Sequence, residues 1–109
     1  MDFKTYQKKA RLTAQYPNLG SNVIYPTLGL VGESGEVAEK VKKVIRDKEG
    51  IFDDDSKKAI VKELGDVLWY LANLCTEFNC ELDDVALQNI EKLRGRSERG
   101  KISGSGDDR

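Results

Sequence analysis

Two stretches of this chain constrain its fold more than any other feature. Leu30, Val37, Val41, Val44 and Ile45 recur at helical spacing, and so do Ile60, Leu64, Val67, Leu71, Leu74 and Phe78. At about 100° per residue, each set collects into one apolar stripe, the signature of an amphipathic α-helix. Glu33 and Glu36 lie along one edge of the first stripe, and Glu63 and Asp66 along the same edge of the second. The local sequences match too: Glu33-Ser-Gly35-Glu36-Val37 is echoed by Glu63-Leu-Gly65-Asp66-Val67. Packed antiparallel about a local pseudo-twofold, such helices would set the four carboxylates across a groove from one another. Gly35 and Gly65 lie on the back of each helix, where glycine costs up to about 1 kcal/mol relative to Ala. A close approach of another group is expected there.

The remaining segments are also helical. Residues 2–14 read as a first helix with Phe3, Tyr6, Ala10 and Thr13 or Ala14 on one side, followed by a Pro17–Pro26 loop. Thr27 is the expected N-cap of a second helix ending near Asp47, and Ser56 or Asp55 that of a third over 56–79. Asp83 or Asp84 would cap a fourth, ending near Arg94-Gly95 with Ala86, Ile90 and Leu93 inward. No alternating β pattern is present. The expectation is an all-α, four-helix bundle-like domain over 1–95 whose two central antiparallel helices carry the acids. Residues 96–109 lack apolar periodicity and read as a flexible or substrate-ordered tail.

Composition narrows the chemistry. The formal net charge of -1 disfavours a binder of nucleic-acid backbones, which needs a basic excess. No apolar run is long enough to cross a bilayer and no signal-peptide pattern opens the chain. Cys75 and Cys80 match no metal or redox spacing and read as buried thiols of a reduced, cytoplasmic protein. Histidine is absent, which removes Ser-His and Cys-His nucleophiles and His-ligated zinc and di-iron sites. With hydrophobic residues at 39%, a single core would be thin, and a homodimer or homotetramer is expected.

Acids three apart on a helix share a face and repel, and apolar neighbours aggravate the repulsion through desolvation. A hard divalent cation resolves the conflict. Mg²⁺, with Mn²⁺ as a substitute, takes oxygen ligands and completes its shell with water and substrate phosphates.

The runs Gly29-Leu30-Val31-Gly32-Glu33-Ser34-Gly35-Glu36-Val37-Ala38-Glu39-Lys40 and Lys62-Glu63-Leu64-Gly65-Asp66-Val67-Leu68-Trp69-Tyr70-Leu71 resemble the MazG-like nucleoside triphosphate pyrophosphohydrolases. That family's signature is Glu-Glu-x-x-Glu, a spacer, then Glu-x-x-Asp, and the leading acid is Gly32 here. The resemblance implies hydrolysis of an NTP or dNTP to the monophosphate and pyrophosphate, in nucleotide-pool housecleaning. Glu33, Glu36, Glu63 and Asp66 would bind Mg²⁺, with Glu33 or Glu36 the candidate catalytic base. It further implies a phosphate contact from Tyr70, and nucleotide contacts from Asn89 and Lys92. Arg96 and Arg99 would follow toward the phosphates.

Each supporting residue has a plainer reading. Tyr70 would otherwise be a boundary aromatic. Lys40 would neutralise phosphate charge or form an i,i+4 ion pair with Glu36. Asn89 and Lys92 would be surface polarity. Trp69, off the main stripe, is expected to be exposed at a subunit interface or to stack on a base, and Tyr6, Tyr16 and Tyr25 are candidate pocket walls. The competing function is a non-enzymatic four-helix interaction module whose acids form a solvated face.

Overall fold

In the computed structural model, which describes residues 1–100 and 102–108, four α-helices follow one another and no strand occurs among the described residues. They are α1 (Phe3–Leu12), α2 (Ile24–Asp47), α3 (Asp54–Glu77) and α4 (Leu82–Glu98). Helices α2 and α3 run antiparallel. Gly29, early in α2, lies against Tyr70, late in α3, while Lys40 further along α2 meets Glu63 nearer the start of α3. Helix α1 packs on the other side of α3, and α4 packs on α1 and α3 but not on α2.

The helix ends depart from expectation because their orphan backbone groups find different partners. Helix α2 starts a turn before Thr27, whose hydroxyl donates back to the Val23 carbonyl at 2.7 Å inside the helix. The side chain that meets its first amides is Asn22, accepting from the Tyr25 N–H at 3.0 Å. Helix α3 is capped by Asp53, not Ser56 or Asp55. The Asp53 carboxylate accepts from the Ser56 amide at 2.8 Å and from Lys48 Nζ at 2.9 Å, which hold its pKa at about 2. Neither Asp83 nor Asp84 caps α4; the Leu82 amide at its start is satisfied from α1, by Gln7 Oε1 at 2.8 Å. Helix α4 also runs past Gly95 to Glu98, so Arg96 and Ser97 are helical. Lys101 and Arg109 of the expected tail lie outside the described residues.

The core is centred off the two stripes. Ala10, Ala72, Cys75 and Leu82 form it, with Tyr6, Leu68, Trp69, Leu71 and Cys80 packed around. On α2 only Val44 of the stripe is buried and Ile45 is exposed; on α3 Leu64 and Phe78 are exposed. The cause is the central position of α3. Its α1-facing side is the fully buried one, with Ile60, Val67, Leu71 and Leu74 of the stripe only half-buried, and there it carries small and polar residues that bond to α1. Buried Asn73 accepts from Arg11 at 3.3 Å and donates to the Trp69 carbonyl at 3.1 Å.

Ile24, Leu28 and Val31 of α2 and Val61 and Leu64 of α3 remain open. The radius of gyration is 16.8 Å, against about 13 Å for a compact domain of this length. One copy of the chain leaves its longest helices half-clothed.

Candidate metal centre

The antiparallel register of α2 and α3 builds the site. Glu33 on α2 meets Glu63 and Asp66 on α3, and one carboxylate oxygen from each lies within 4.8 Å of the others. Glu33 and Glu63 are half-buried and Asp66 is exposed. Burial, the charge of Asp66 and the neighbouring Glu63 and Glu36 carboxylates push the Glu33 pKa up. Three hard oxygen donors that repel one another fit a hard divalent cation, whose charge would relieve the repulsion. Glu36, one turn along α2, is exposed and stands outside this group of three. The expected four-way convergence is therefore three-way, with Glu36 at the rim.

Lys40 does not form the expected helical pair with Glu36. Its Nζ crosses to Glu63 on α3 at 3.6 Å, since Glu63 lies in the interhelical crease while Glu36 points to solvent. Glu39 carries the local ion pairs of α2 instead, with Lys42 at 2.8 Å and Lys43 at 3.9 Å.

Gly29 explains how Tyr70 reaches the acids. A Cβ at Gly29 would stand 2.1 Å from the Tyr70 ring, so the ring lies directly on the α2 backbone. Burial raises the pKa of its hydroxyl, and the neighbouring Tyr25, Glu33 and Asp66 push the same way. At Gly32, Gly35 and Gly65, by contrast, an added Cβ would meet nothing within 4 Å. The close approach expected at Gly35 and Gly65 is not supplied by the described residues of this chain.

Behind Tyr70 runs a series of aromatic contacts. Trp69 meets Tyr70 edge-on at 5.0 Å and Tyr16 at 6.5 Å, and Tyr16 stacks on Tyr25 at 5.0 Å. Trp69 is therefore half-buried, its indole N–H donating to Thr13 at 2.8 Å, where exposure was expected. Tyr6 lies farther along α1, its hydroxyl pKa raised by burial and by Asp66.

The α4 residues are set apart. Asn89 and Lys92 are exposed along a shallow groove with Val85 and Gln88, on a helix that, like α1, does not pack on α2. Arg96 is 5% exposed, with its guanidinium donating to the Gly106 and Asp107 carbonyls of its own C-terminal segment. A hollow of about 380 Å³ bounded by Gln7, Arg11, Thr76 and Cys80 contains none of the acids, which sit in the open crease.

The polar group that sequence reasoning missed is Glu77. Its buried carboxylate accepts from Arg11 at 2.6 Å, Asn22 N–H at 2.7 Å, Tyr16 hydroxyl at 2.8 Å and Gly20 N–H at 3.0 Å. Burial pushes its pKa up, but these donors, led by the Asn22 amide, outweigh it and hold the group at about 2. The only sequence signal was an acid on a face otherwise made of Ala72, Asn73 and Thr76.

Comparison with known proteins bears on the family of the chain. A family model described as the MazG nucleotide pyrophosphohydrolase domain matches residues 26–100, which contain all but the first two residues of α2, the whole of α3 and α4, and all four acids. The chain is also similar to the "Gene 37 protein" of Mycobacterium phage L5, 44% identical over 114 residues and covering 100% of both chains. No solved structure matches it. No helix among the described residues is long and apolar enough to cross a membrane.

Proposed function

The chain belongs to the MazG nucleotide pyrophosphohydrolase domain family, and we propose on that premise that it hydrolyses a nucleoside or deoxynucleoside triphosphate to the monophosphate and pyrophosphate. The observation that carries this reading is the three-carboxylate group of Glu33, Glu63 and Asp66 across the antiparallel pair. These residues would hold Mg²⁺ or Mn²⁺, which when bound neutralises triphosphate charge and acidifies water. Glu36, one turn along α2 at the rim, would be the further carboxylate available to the ion.

In this reading a water oxygen bonds to the α-phosphorus, the α–β anhydride bond breaks and pyrophosphate leaves. The water proton passes to a carboxylate, for which Glu33 is one candidate. Glu36 is the alternative base. The Tyr70 hydroxyl, next to Glu33 and Asp66, would donate to a phosphate oxygen. Lys40, already drawn to Glu63, would balance the added negative charge.

The open apolar faces of α2 and α3 support assembly into a homodimer or homotetramer. Asn89 and Lys92 would then serve a nucleotide held by another copy. Arg96 would take part after exchanging Gly106 and Asp107 for phosphate. The two free thiols, Cys75 and Cys80, favour a reducing cytoplasmic setting.

The test is pyrophosphate release from a panel of NTPs, dNTPs and oxidised nucleotides with Mg²⁺ or Mn²⁺, beside Glu63→Ala. At least one nucleotide is expected to turn over, with activity lost in the variant. No turnover anywhere, together with thermal stability indifferent to Mg²⁺, would favour the non-enzymatic helical interaction module.

A further inference from the structure

Glu77 is a costly residue to bury. Desolvating a carboxylate is unfavourable unless it is paired and hydrogen-bonded, and an apolar side chain would hold α1 against α3 as well. What an apolar side chain would not do is grip the loop between α1 and α2. Two of the donors to Glu77 are backbone amides of that loop, Gly20 and Asn22, and a third is the Tyr16 hydroxyl. The loop is shaped to present them, turning through left-handed residues at Asn18 (φ 55°) and Gly20 (φ 92°). Arg11 closes the arrangement by donating to Glu77 and to the Tyr16 oxygen at 2.7 Å.

From there two short paths lead to the crease. Asn22, fixed by its own N–H, turns its side chain to the Tyr25 amide and so sets the start of the helix that carries Glu33 and Glu36. Tyr16, fixed by its hydroxyl, stacks face to face on Tyr25 with rings 16° from parallel. Tyr25 in turn stands beside Tyr70, which borders Glu33 and Asp66. Tyr25 remains 44% exposed, a phenol ring held firmly yet open to a ligand.

We propose that Glu77 is a positioning residue that anchors the α1–α2 loop so that Tyr25 forms the wall against which the nucleoside of the substrate packs. Glu77 lies eleven residues beyond Asp66 on α3, about 16 Å along the helix axis, and touches neither the triphosphate nor the metal ligands. Its effect falls first on the nucleoside, because Tyr25 sits in the first turn of α2 that Asn22 caps, whereas Glu33 lies more than two turns farther along the helix. The inference rests on the pyrophosphohydrolase reading and adds the subsite that the carboxylate group leaves unspecified.

The experiment compares the wild type, Glu77→Gln and Tyr25→Ala with the best nucleotide of the panel, and with inorganic tripolyphosphate as a base-free competitor. Stacking of a base on an aromatic ring supports a KM increase of about tenfold in both variants. The inhibition constant of tripolyphosphate and the affinity for Mn²⁺ are expected to hold, and kcat to stay within about threefold, as for loss of binding shared by ground and transition states. Equal losses for nucleotide and tripolyphosphate, or an unchanged KM, overturn the inference. If Glu77→Gln does not fold, the exposed Tyr25→Ala decides by the same comparison. A wild type that turns over no nucleotide refutes the parent reading first, before any variant is compared.

Discussion

At Gly29 the α2 backbone and the Tyr70 ring occupy adjoining space with no room for a methyl group. Gly29→Ala would force the ring off the helix or the helices apart, an overpacking cost of about 1–3 kcal/mol. Urea unfolding should show that loss, and Tyr70 should leave Glu33 with it; an unchanged midpoint would mean that the two helices separate freely. Glu77 is a buried acid on whose ionisation the fold depends. Its folded pKa, about 2, lies below its ordinary value of 4.5. Its contribution is thus present above the ordinary value and is lost as pH falls through the folded one. Melting temperature should drop between roughly pH 4.5 and pH 2, and Glu77→Gln should flatten that drop while lowering stability at neutral pH by about 3–5 kcal/mol, as when one partner of a buried pair is removed.

At the scale of helices, the pair α2 and α3 carries a conflict that a cation would settle. Burial first, and then Asp66 and Glu63 across the crease, push the Glu33 pKa up, so the ion-free pair carries unfavourable charge. Asp66→Asn should therefore raise the melting temperature without metal and abolish the rise that Mg²⁺ gives the wild type. A variant no more stable than the wild type in chelator would argue that the acids are solvated apart. The pair itself was legible in the sequence because long apolar periodicity and a repeated acid spacing are local signals. The helix starts were less so: at α3 the local acidic run offered Asp53, Asp55 and Ser56 alike and Lys48 favours Asp53, Asn22 serves Tyr25 from a loop that Glu77 holds, and Gln7 serves Leu82 across seventy-five residues. Lys40 was misassigned for a related reason. Helical spacing offered Glu36, whereas the interhelical crease offered Glu63. The α1-facing side of α3 was hidden most thoroughly, since Asn73 and Glu77 look like surface residues until Arg11 is set against them.

At the scale of the molecule, the balance of covered and open surface is what remains to be accounted for. A chain with exposed Ile24, Leu28, Val31, Val61 and Leu64 on its two longest helices carries apolar surface that its own core does not use. Gly35 and Gly65 open on space in this single copy, although the repeated motif holds a glycine at both positions. Assembly would reconcile the two facts, with a second copy covering the apolar faces and passing close to the glycines. The prediction separates cleanly by sign. On a free helix face, Gly35→Ala gains up to about 1 kcal/mol from helix propensity alone. Against a packed neighbour the same methyl group clashes, and overpacking costs about 1–3 kcal/mol. Sedimentation of the wild type should give a dimer or tetramer, and Gly35→Ala should shift it toward monomer as the melting temperature falls. A monomeric wild type that Gly35→Ala stabilises would show that this face meets only water, and that the thin core of Ala10, Ala72, Cys75 and Leu82 holds the fold alone.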